Sequence, residues 1–142
     1  YDAYKIKTMI DHLKQIIMVR KGYDIGPLLL VVIHNYALLK ECDSTFEFEL
    51  MHLIREGSKV GISIVITAHT SSELSYRIIQ YIQQYYLFQL QDVSEYHSIF
   101  QTSRVKKIPA YPGRGLYKKD NIYEFQIHHI DKEVIGRLVN KL

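Results

Sequence analysis

PLLLVVI, residues 27–33, is a continuous run of leucine and β-branched side chains with the length of a strand. A strand buried on both faces has this unbroken apolar pattern, because helices cover a parallel sheet from both sides. A second run of the same kind, GISIVIT, occupies residues 61–67. The two runs therefore predict neighbouring buried strands of a parallel sheet.

The segments around these two strands have helical patterns. Residues 3–20 place apolar side chains at intervals of three and four, and Gly22 follows their basic end as a helix stop. Between the strands, the motif STFE is typical of a capping box, with Ser44 as the N-cap and Glu47 at the third helical position. This helix is expected to end near Gly57. Strand, helix and strand in this order predict a right-handed βαβ unit.

The rest of the chain continues the alternation of helices and strands. PGRG, residues 112–115, predicts a turn, and Asp131 is expected to cap the last helix. The fold class predicted from this order is α/β, a three-layer sandwich around a mainly parallel sheet, in a single domain spanning residues 1–142. The later predicted elements are a helix at 73–82, a third strand at 86–91, a helix at 93–101, strands at 115–118 and 121–128, and a helix at 132–141.

Composition excludes several classes of protein. With 142 residues, of which 47% are hydrophobic and 23% charged, the chain resembles one folded domain rather than a disordered segment. The formal net charge of +3 is too small to indicate a nucleic-acid or membrane-surface binder. The only cysteine, Cys42, excludes a disulfide framework and a cysteine-rich zinc site. Because Tyr1 is not an initiator methionine, we expect the chain to be a fragment of a longer protein.

Motifs for the commonest kinds of catalytic site are missing from the sequence. Neither the P-loop pattern G-x-x-x-x-G-K-[ST] nor the dinucleotide fingerprint G-x-G-x-x-G is present. The seven histidines lack the spacing of zinc ligands, and no nucleophile motif supports a catalytic triad. Local motifs therefore predict no catalytic residues and no metal ligands.

Three longer segments carry a resemblance to a known family. They are LLLVVIHNY at residues 28–36, REGSKVGISIVITAHTSS at 55–72 and IPAYPGRGL at 108–116. In this order and spacing they resemble the FtsK/SpoIIIE-type P-loop ATPases, and among these the C-terminal ATPase domain of the EssC-type proteins of type VII secretion systems. The resemblance extends from about Lys14 to Ile130 and implies a RecA-like P-loop NTPase fold, in a family whose cofactors are ATP and magnesium.

The positions that this resemblance assigns to nucleotide chemistry depart from the family pattern. The Walker B strand of such an ATPase ends in an aspartate that orients magnesium and a glutamate that activates water, whereas His34 and Asn35 stand here. The sensor position after the second strand, usually a glutamine, corresponds to His69. Imidazole is a poor ligand for magnesium and an amide cannot act as a base. The resemblance therefore implies a degenerate, non-hydrolytic site, with no cofactor bound by this chain.

The P-loop strand of the family lies beside the sensor strand, and no segment of this sequence matches it. Without that strand, residues 61–67 would leave an unpaired edge, unless the sheet is closed in another way. We expect that the P-loop strand was left out of this sequence. Arg114, in the PGRG turn, is either a solvated charge or an arginine offered to the nucleotide of a neighbouring domain.

The resemblance leaves more than one function open. The leading hypothesis is a degenerate ATPase-fold domain of a type VII secretion motor, on the cytoplasmic side of the bacterial cell membrane, as part of a membrane-anchored protein. Its partners would be secreted helical-hairpin (WXG-type) substrates and neighbouring ATPase domains of the same protein. The alternative is a nucleotide-binding motor ATPase, a protein or DNA translocase whose P-loop portion is missing from this chain. A third hypothesis is a scaffold without a ligand.

The candidate residues for partner contact are Tyr81, Tyr85 and Tyr86, around the predicted third strand. Tyrosine is rigid and amphipathic, and it is enriched at the energetic centres of protein interfaces. The structural alternative is that Tyr81 and Tyr85, four residues apart, pack one helix face against the sheet.

Overall fold

The computed structural model describes residues 2–21, 26–105, 107–128 and 130–139. By its internal contacts the chain divides into a first unit, Tyr1–Ile82, and a second unit, Gln83–Leu142. None of the helices within the described ranges is both long and apolar enough to cross a lipid bilayer.

The first unit contains α1 (Ala3–Arg20), β1 (Leu29–Ile33), α2 (Tyr36–Cys42), α3 (Phe46–Gly57), a 3₁₀ turn (Ser58–Val60), β2 (Ile62–Ile66), a second 3₁₀ turn (Ser71–Glu73) and α4 (Tyr76–Ile79). The second unit contains β3 (Tyr85–Leu87), α5 (Val93–Phe100), β4 (Arg114–Lys118), β5 (Ile122–Gln126) and α6 (Lys132–Val139).

The first unit contains the predicted strand–helix–strand arrangement. β1 and β2 form a two-stranded parallel sheet in which Leu29 pairs with Ile62 and Ile33 pairs with Ile66. α2 and α3 connect the two strands, although α2, which begins soon after β1, was not predicted. α1 has the predicted bounds, and its predicted stop at Gly22 lies outside the described residues.

One face of the parallel sheet is covered and the other is exposed. Leu30 and Val32 of β1 are 67% and 59% exposed, and Val65 of β2 is 44% exposed. The prediction that β1 is buried on both faces is therefore wrong for the described part of the chain, because its helices pack on one side of a two-stranded sheet. The covered face packs against a core formed mainly by α1, α2 and α3, with the buried side chains Ile6, Ile10, Leu13, Ile17, Ile33, Tyr36, Leu39, Phe46, Leu50, Leu53, Val60, Ile62 and Ile78.

The start of α3 differs from the predicted capping box. Ser44 is not the N-cap; the N-cap is Thr45, whose side chain makes no capping hydrogen bond and whose amide donates to Oδ1 of Asp43 at 2.8 Å. The Glu47 carboxylate accepts a hydrogen bond from the Ser75 hydroxyl at 2.6 Å, across 28 residues of sequence. This distant partner takes the place of the local bond, and the short motif alone could not reveal it.

The second unit is built on a different kind of sheet. β3, β4 and β5 form an antiparallel sheet with β4 in the centre. The prediction that the third strand, at 86–91, joins a mainly parallel sheet is therefore wrong. The helix predicted at 73–82 is reduced to the four residues of α4. Residues 140–141, the predicted end of the last helix, lie outside the described part of the chain. The α/β class is confirmed, but the strands lie in two sheets.

The second unit has a core of its own around Tyr96, which is completely buried. The Tyr96 hydroxyl donates to the carbonyl of Phe88 at 2.8 Å and accepts from the amide of Leu90 at 2.6 Å. These bonds hold the segment that follows β3 against α5. The buried side chains of this core are Tyr96, Phe100, Val105, Ile108 and Leu116.

The PGRG segment forms the predicted turn. The Arg114 amide donates to the Tyr111 carbonyl at 3.0 Å, and Gly113 has a φ of 78°. A positive φ at the third position of a turn, after proline at the second, requires glycine or asparagine. The turn leads the chain directly into β4.

Candidate functional site

The carboxyl ends of β1 and β2 meet at Thr67, the residue that follows β2. Its amide donates to the carbonyl of Ile33, and its carbonyl accepts from the amide of Tyr36, both at 2.9 Å. Its hydroxyl Oγ1 accepts the backbone N–H of Asn35 at 2.9 Å and lies 3.0 Å from Nδ1 of His34. Thr67 therefore joins the two residues at the predicted Walker B position.

Asn35 has a left-handed backbone conformation, with φ 57° and ψ 78°. Asparagine adopts this conformation more readily than most residues, because its short polar side chain can bond locally. The turn lets the chain pass from β1 into α2 within two residues. Oδ1 of Asn35 is buried and has no hydrogen-bond partner among the described residues.

His69, the predicted sensor position, lies three residues beyond the end of β2. The residue is exposed, and its backbone amide donates to Oε2 of Glu73 at 2.9 Å. This bond joins it to the 3₁₀ turn that follows β2. The amide of His69 therefore bonds to this turn and not to the group around Thr67.

The donor groups at these strand ends do not suit magnesium. Magnesium prefers an octahedron of oxygen ligands that usually includes carboxylates. The strand ends offer an imidazole, an amide and a hydroxyl, on His34, Asn35 and Thr67. Within residues 2–21, 26–105, 107–128 and 130–139, no three His, Cys, Asp or Glu side chains are grouped to hold a metal ion. The residues present therefore do not fit the magnesium site of a hydrolytic ATPase.

Tyr36 lies directly behind this edge and is 1% exposed. Burial, followed by the negative charge of Glu47, raises the pKa of the Tyr36 hydroxyl to about 12. The hydroxyl has no hydrogen-bond partner among the described residues, so Glu47 acts on it through its charge. Since Glu47 also binds Ser75, the three side chains connect the start of α2 to the starts of α3 and α4.

An ion cluster around Glu56 explains the charged residues of the REGSK motif. The Glu56 carboxylate accepts hydrogen bonds from Lys21 at 2.9 Å, Arg55 at 3.1 Å and Lys59 at 3.2 Å. The hydrogen bonds from Lys21 and Lys59 lower the pKa of Glu56 to about 2. Because Lys21 follows α1 and Glu56 is in the last turn of α3, the cluster holds these two helix ends together.

The three tyrosines predicted to contact a partner lie in different environments. Tyr81 follows α4 in the first unit and is half-buried, whereas Tyr85 and Tyr86 are on β3 in the second unit. Tyr85 packs against the core of the second unit, and burial raises the pKa of its hydroxyl. Tyr86 lies on the opposite face and is 58% exposed. The alternative in which Tyr81 and Tyr85 share one helix face is wrong, because Tyr85 is on a strand.

Tyr86 belongs to a larger set of rings, here called the aromatic face: Tyr86, Phe88, Tyr117, Tyr123 and Phe125. Tyr86 pairs with Tyr117 across β3 and β4, and Tyr117 pairs with Tyr123 across β4 and β5. The ring centroids of these two pairs are 5.7 and 5.1 Å apart, and the rings are nearly parallel. Phe125 meets Tyr86 and Phe88 edge-on, at 6.0 and 5.5 Å. The sequence contains a partial signal for this set, since residues 86 and 88, and again 123 and 125, are aromatic at the alternation of a strand.

Gly115 leaves the space that the aromatic face requires. It pairs with Phe125 across β4 and β5. A Cβ atom at Gly115 would collide with the Phe125 ring and would lie 2.8 Å from the carbonyl oxygen of Leu87. The glycine therefore allows the Phe125 ring to lie across β4.

Arg114 occupies the first position of β4, and its guanidinium pairs with the carboxylate of Glu124 on β5. The ion pair is partly exposed, so it resembles an ordinary cross-strand pair. The predicted contact of Arg114 with a neighbouring nucleotide stays a prediction.

Comparison with known proteins bears on these sites. No protein-family model matches the chain. The ESX secretion system protein EccC of Geobacillus thermodenitrificans (strain NG80-2) is 29% identical over 102 residues, which are 72% of this chain and 7% of that protein. The ESX secretion system protein YukB of Bacillus subtilis (strain 168) is 26% identical over 101 residues, 71% of this chain and 7% of that protein.

A solved structure, EssC (ATPases 2 and 3) from Geobacillus thermodenitrificans, superposes with a TM-score of 0.71 over 98% of this chain and 29% of that one. The resemblance to the EssC-type FtsK/SpoIIIE ATPases is confirmed. The identity to the EssC structure is 24%, so this superposition establishes the fold alone. The chain spans about 7% of the length of the curated EssC-type relatives. Any activity of those whole proteins can therefore only be proposed for this chain.

Proposed function

We propose that this chain is a degenerate, non-hydrolytic ATPase-fold module of a type VII secretion motor. The similarity to the EccC and YukB secretion proteins and to EssC ATPase domains supports a component of such a motor. The absence of hydrolysis is proposed from one observation: His34 and Asn35 stand at the predicted Walker B position, where both contact the Thr67 hydroxyl. These side chains offer no carboxylate for magnesium, and the amide of Asn35, at the position of the water-activating glutamate, cannot act as a base.

The proposal includes a larger, RecA-like three-layer sandwich. The exposed apolar side chains Leu30, Val32 and Val65 support it, because such a face is normally covered by helices in an open α/β sheet. A P-loop strand of the parent protein would pair with the free edge of β2. Both units would then belong to one ATPase-type domain on the cytoplasmic side of the membrane.

Within the motor, the module would act by contact rather than by turnover. Its partners would be neighbouring ATPase domains of the same protein and secreted helical-hairpin (WXG-type) substrates. The aromatic face supports a partner surface, since Tyr86, Phe88 and Tyr123 are each 45% or more exposed on a rigid sheet. The size of the relatives, of which this chain matches 7%, supports neighbouring domains.

The test is divalent-ion binding at the strand ends. Backbone NMR signals of residues 33–36 and 67–69 are followed during titration with Mg²⁺ and with paramagnetic Mn²⁺. We expect no saturable change in the natural chain, and a saturable change in the double variant His34→Asp/Asn35→Glu, which restores two carboxylates. The double variant His12→Asp/Gln15→Glu, on an exposed face of α1, adds the same charges as a matched control.

Two results would contradict the non-hydrolytic proposal. One is saturable Mn²⁺ broadening at these residues in the natural chain. The other is magnesium-dependent release of phosphate from ATP by this chain that Asn35→Ala abolishes. Equal broadening in both double variants would show only that added carboxylates attract the ion. The change in His34→Asp/Asn35→Glu would then not indicate a restored magnesium site.

The alternative is a nucleotide-binding motor ATPase whose P-loop portion lies elsewhere in the parent protein. The superposition on EssC ATPase domains over 98% of the chain favours it. In the parent protein, Asn35→Ala would then abolish ATP turnover by this domain, whereas the leading proposal expects no change. A DNA translocase would also need a basic channel, for which a net charge of +3 gives little support.

A further inference from the structure

β5 is an edge strand with backbone groups directed away from its sheet. The Ile127 amide donates to the Gly113 carbonyl at 2.9 Å, and hydrogen-bonded pairs recur at every second residue of an antiparallel ladder. Tyr123 and Phe125 therefore bond to β4 through their backbones. No further strand pairs with β5 among the described residues. The backbone groups that point away from β4 are those of Ile122, Glu124 and Gln126.

An open groove of about 660 Å³ lies beside this edge. Ile122 and Glu124, two of the residues with outward backbone groups, also line the groove with their side chains. The apolar part of its lining comes from the core of the second unit, namely Phe100, Val105, Ile108 and Leu116. A chain that paired with β5 would therefore place alternate side chains against an apolar surface.

The groove carries three cationic side chains, Arg104, Lys107 and Lys118. The ammonium groups of Lys107 and Lys118 donate to backbone carbonyls at 3.0 and 2.8 Å. The charge of Lys107 also interacts with the carboxylate of Asp92, whose pKa is lowered by hydrogen bonding to Ser94 and, in addition, by Lys107. None of the three cations forms an ion pair with a carboxylate among the described residues.

The groove also carries two carboxylates, Asp120 and Glu124. Glu124 is already paired with Arg114, which does not line the groove. Asp120 forms no ion pair among the described residues, and Asp92 offsets part of the charge of Lys107. Arg104 and Lys118 leave the groove with an excess of positive charge, which favours an anionic ligand.

We propose that the β5 edge and its groove bind an extended polypeptide segment with acidic side chains, which adds a fourth strand to the antiparallel sheet. The outward backbone groups of β5 supply main-chain hydrogen bonds, and every second side chain of the added strand faces the groove, where apolar ones meet the apolar lining and acidic ones meet the cations. This inference rests on the second unit alone. It does not depend on the nucleotide chemistry proposed for the first unit.

The test uses a fluorescently labelled eight-residue peptide, Val-Ser-Glu-Ser-Val-Ser-Glu-Ser, whose valines and glutamates all lie on one face of a strand, titrated with the whole chain and followed by anisotropy. We expect saturation with a Kd on the order of 100 μM. The same peptide with lysine in place of glutamate should bind at least about tenfold more weakly. A third peptide, methylated on alternate backbone nitrogens, should not saturate, because it cannot complete the strand pairing.

Two matched pairs of protein variants locate the site. Glu124→Pro removes the outward N–H of the edge, whereas Glu124→Gln removes the same charge and keeps that N–H. We expect Glu124→Gln to bind the peptide at least as tightly as the natural chain and Glu124→Pro to lose binding. Arg104→Glu should weaken binding at least about fivefold, and Lys132→Glu, the same charge change on exposed α6, should leave it unchanged.

Several results would overturn the proposal. Equal binding of the glutamate and lysine peptides would contradict the preference of the groove for acidic side chains. Equal binding of the methylated and unmethylated peptides would show that the peptide does not pair with β5 as a strand. This test does not depend on whether Glu124→Pro folds. A lack of saturation at protein concentrations up to about 1 mM would show that the groove is not a binding site for such peptides.

Discussion

The Thr67 hydroxyl accepts the backbone N–H of Asn35 at 2.9 Å, so a side chain at the end of β2 holds the turn that follows β1. The turn is left-handed at Asn35 and brings His34 to the same hydroxyl. The ends of β1 and β2 are thus joined by a group of hydrogen bonds around one threonine.

The first prediction tests this group by substitution of Thr67. Thr67→Val has nearly the same shape but removes the hydroxyl, and we expect it to lower the free energy of unfolding by about 1 kcal/mol. Thr67→Ser keeps the hydroxyl and should lose less. Urea denaturation followed by circular dichroism measures both. Equal losses for valine and serine would show that the methyl group of Thr67, and not its hydrogen bond, matters.

The second prediction concerns Tyr36 at high pH. Because the folded-state pKa of Tyr36, about 12, is higher than the ordinary value of 10.0, ionisation of the hydroxyl is disfavoured in the folded chain, and this contribution to stability is fully present below pH 10. This contribution is lost as the pH rises from about 10 to about 12. Tyr36→Phe should abolish that part of the loss while changing stability at pH 7 by less than about 1 kcal/mol, since the hydroxyl is poorly bonded.

Thermal unfolding between pH 8 and the highest pH at which the chain refolds measures the effect of Tyr36→Phe. Tyr76→Phe, at a tyrosine that is 77% exposed, is the matched control and should follow the natural chain. An identical alkaline profile for the Tyr36 variant and the natural chain would rule out the role of its buried hydroxyl.

The third prediction concerns Glu56 at low pH. Its folded-state pKa, about 2, is lower than the ordinary value of 4.5, so its contribution to stability is present above pH 4.5. The contribution disappears as the pH falls from 4.5 to about 2. Glu56→Gln should lower the melting temperature at pH 7 and flatten the acid part of the profile. Glu133→Gln, on exposed α6, is the control; if it flattens the profile equally, the ion cluster is not the cause.

The fourth prediction concerns the glycine beneath the aromatic face. Gly115→Ala should destabilise the chain by about 1–3 kcal/mol, because the added Cβ would collide with Phe125 and with the Leu87 carbonyl. Gly136→Ala is the control: nothing lies within 4 Å of the added atom, and a helix interior favours alanine by about 0.5–1 kcal/mol. Opposite signs for the two substitutions in urea denaturation are the expected result. A neutral Gly115→Ala would mean that the face accommodates the methyl group.

The fifth prediction concerns the proposed contact with secreted helical-hairpin proteins. Tyr86→Ala should weaken binding of such a protein at least about tenfold, since an exposed ring on a rigid sheet suits an interface anchor. Tyr76→Ala, at an exposed tyrosine of the first unit, should leave the affinity for that protein unchanged. Calorimetric titration measures both. Equal affinity of the Tyr86 variant and the natural chain would place the contact elsewhere.

Local patterns in the sequence were sufficient for several parts of this fold. The spacing of apolar residues defines α1, the two apolar runs define β1 and β2, and the turn at Gly113 follows from its neighbours. The polar residues that end the first strand were also predicted, as His34 and Asn35. These features depend on interactions between residues close in the chain, so the order of residue types contains them.

Contacts between distant residues determined the rest. Glu47 bonds to Ser75 rather than closing a capping box, and Thr67 holds the end of the other strand. The row of Tyr86, Tyr117 and Tyr123 depends on the register of three strands. Likewise, β1 has one exposed face because the helices described here pack on one side. Register, distant hydrogen bonds and the number of covering layers are set by which segments meet in space, and local periodicity carries no information about that choice.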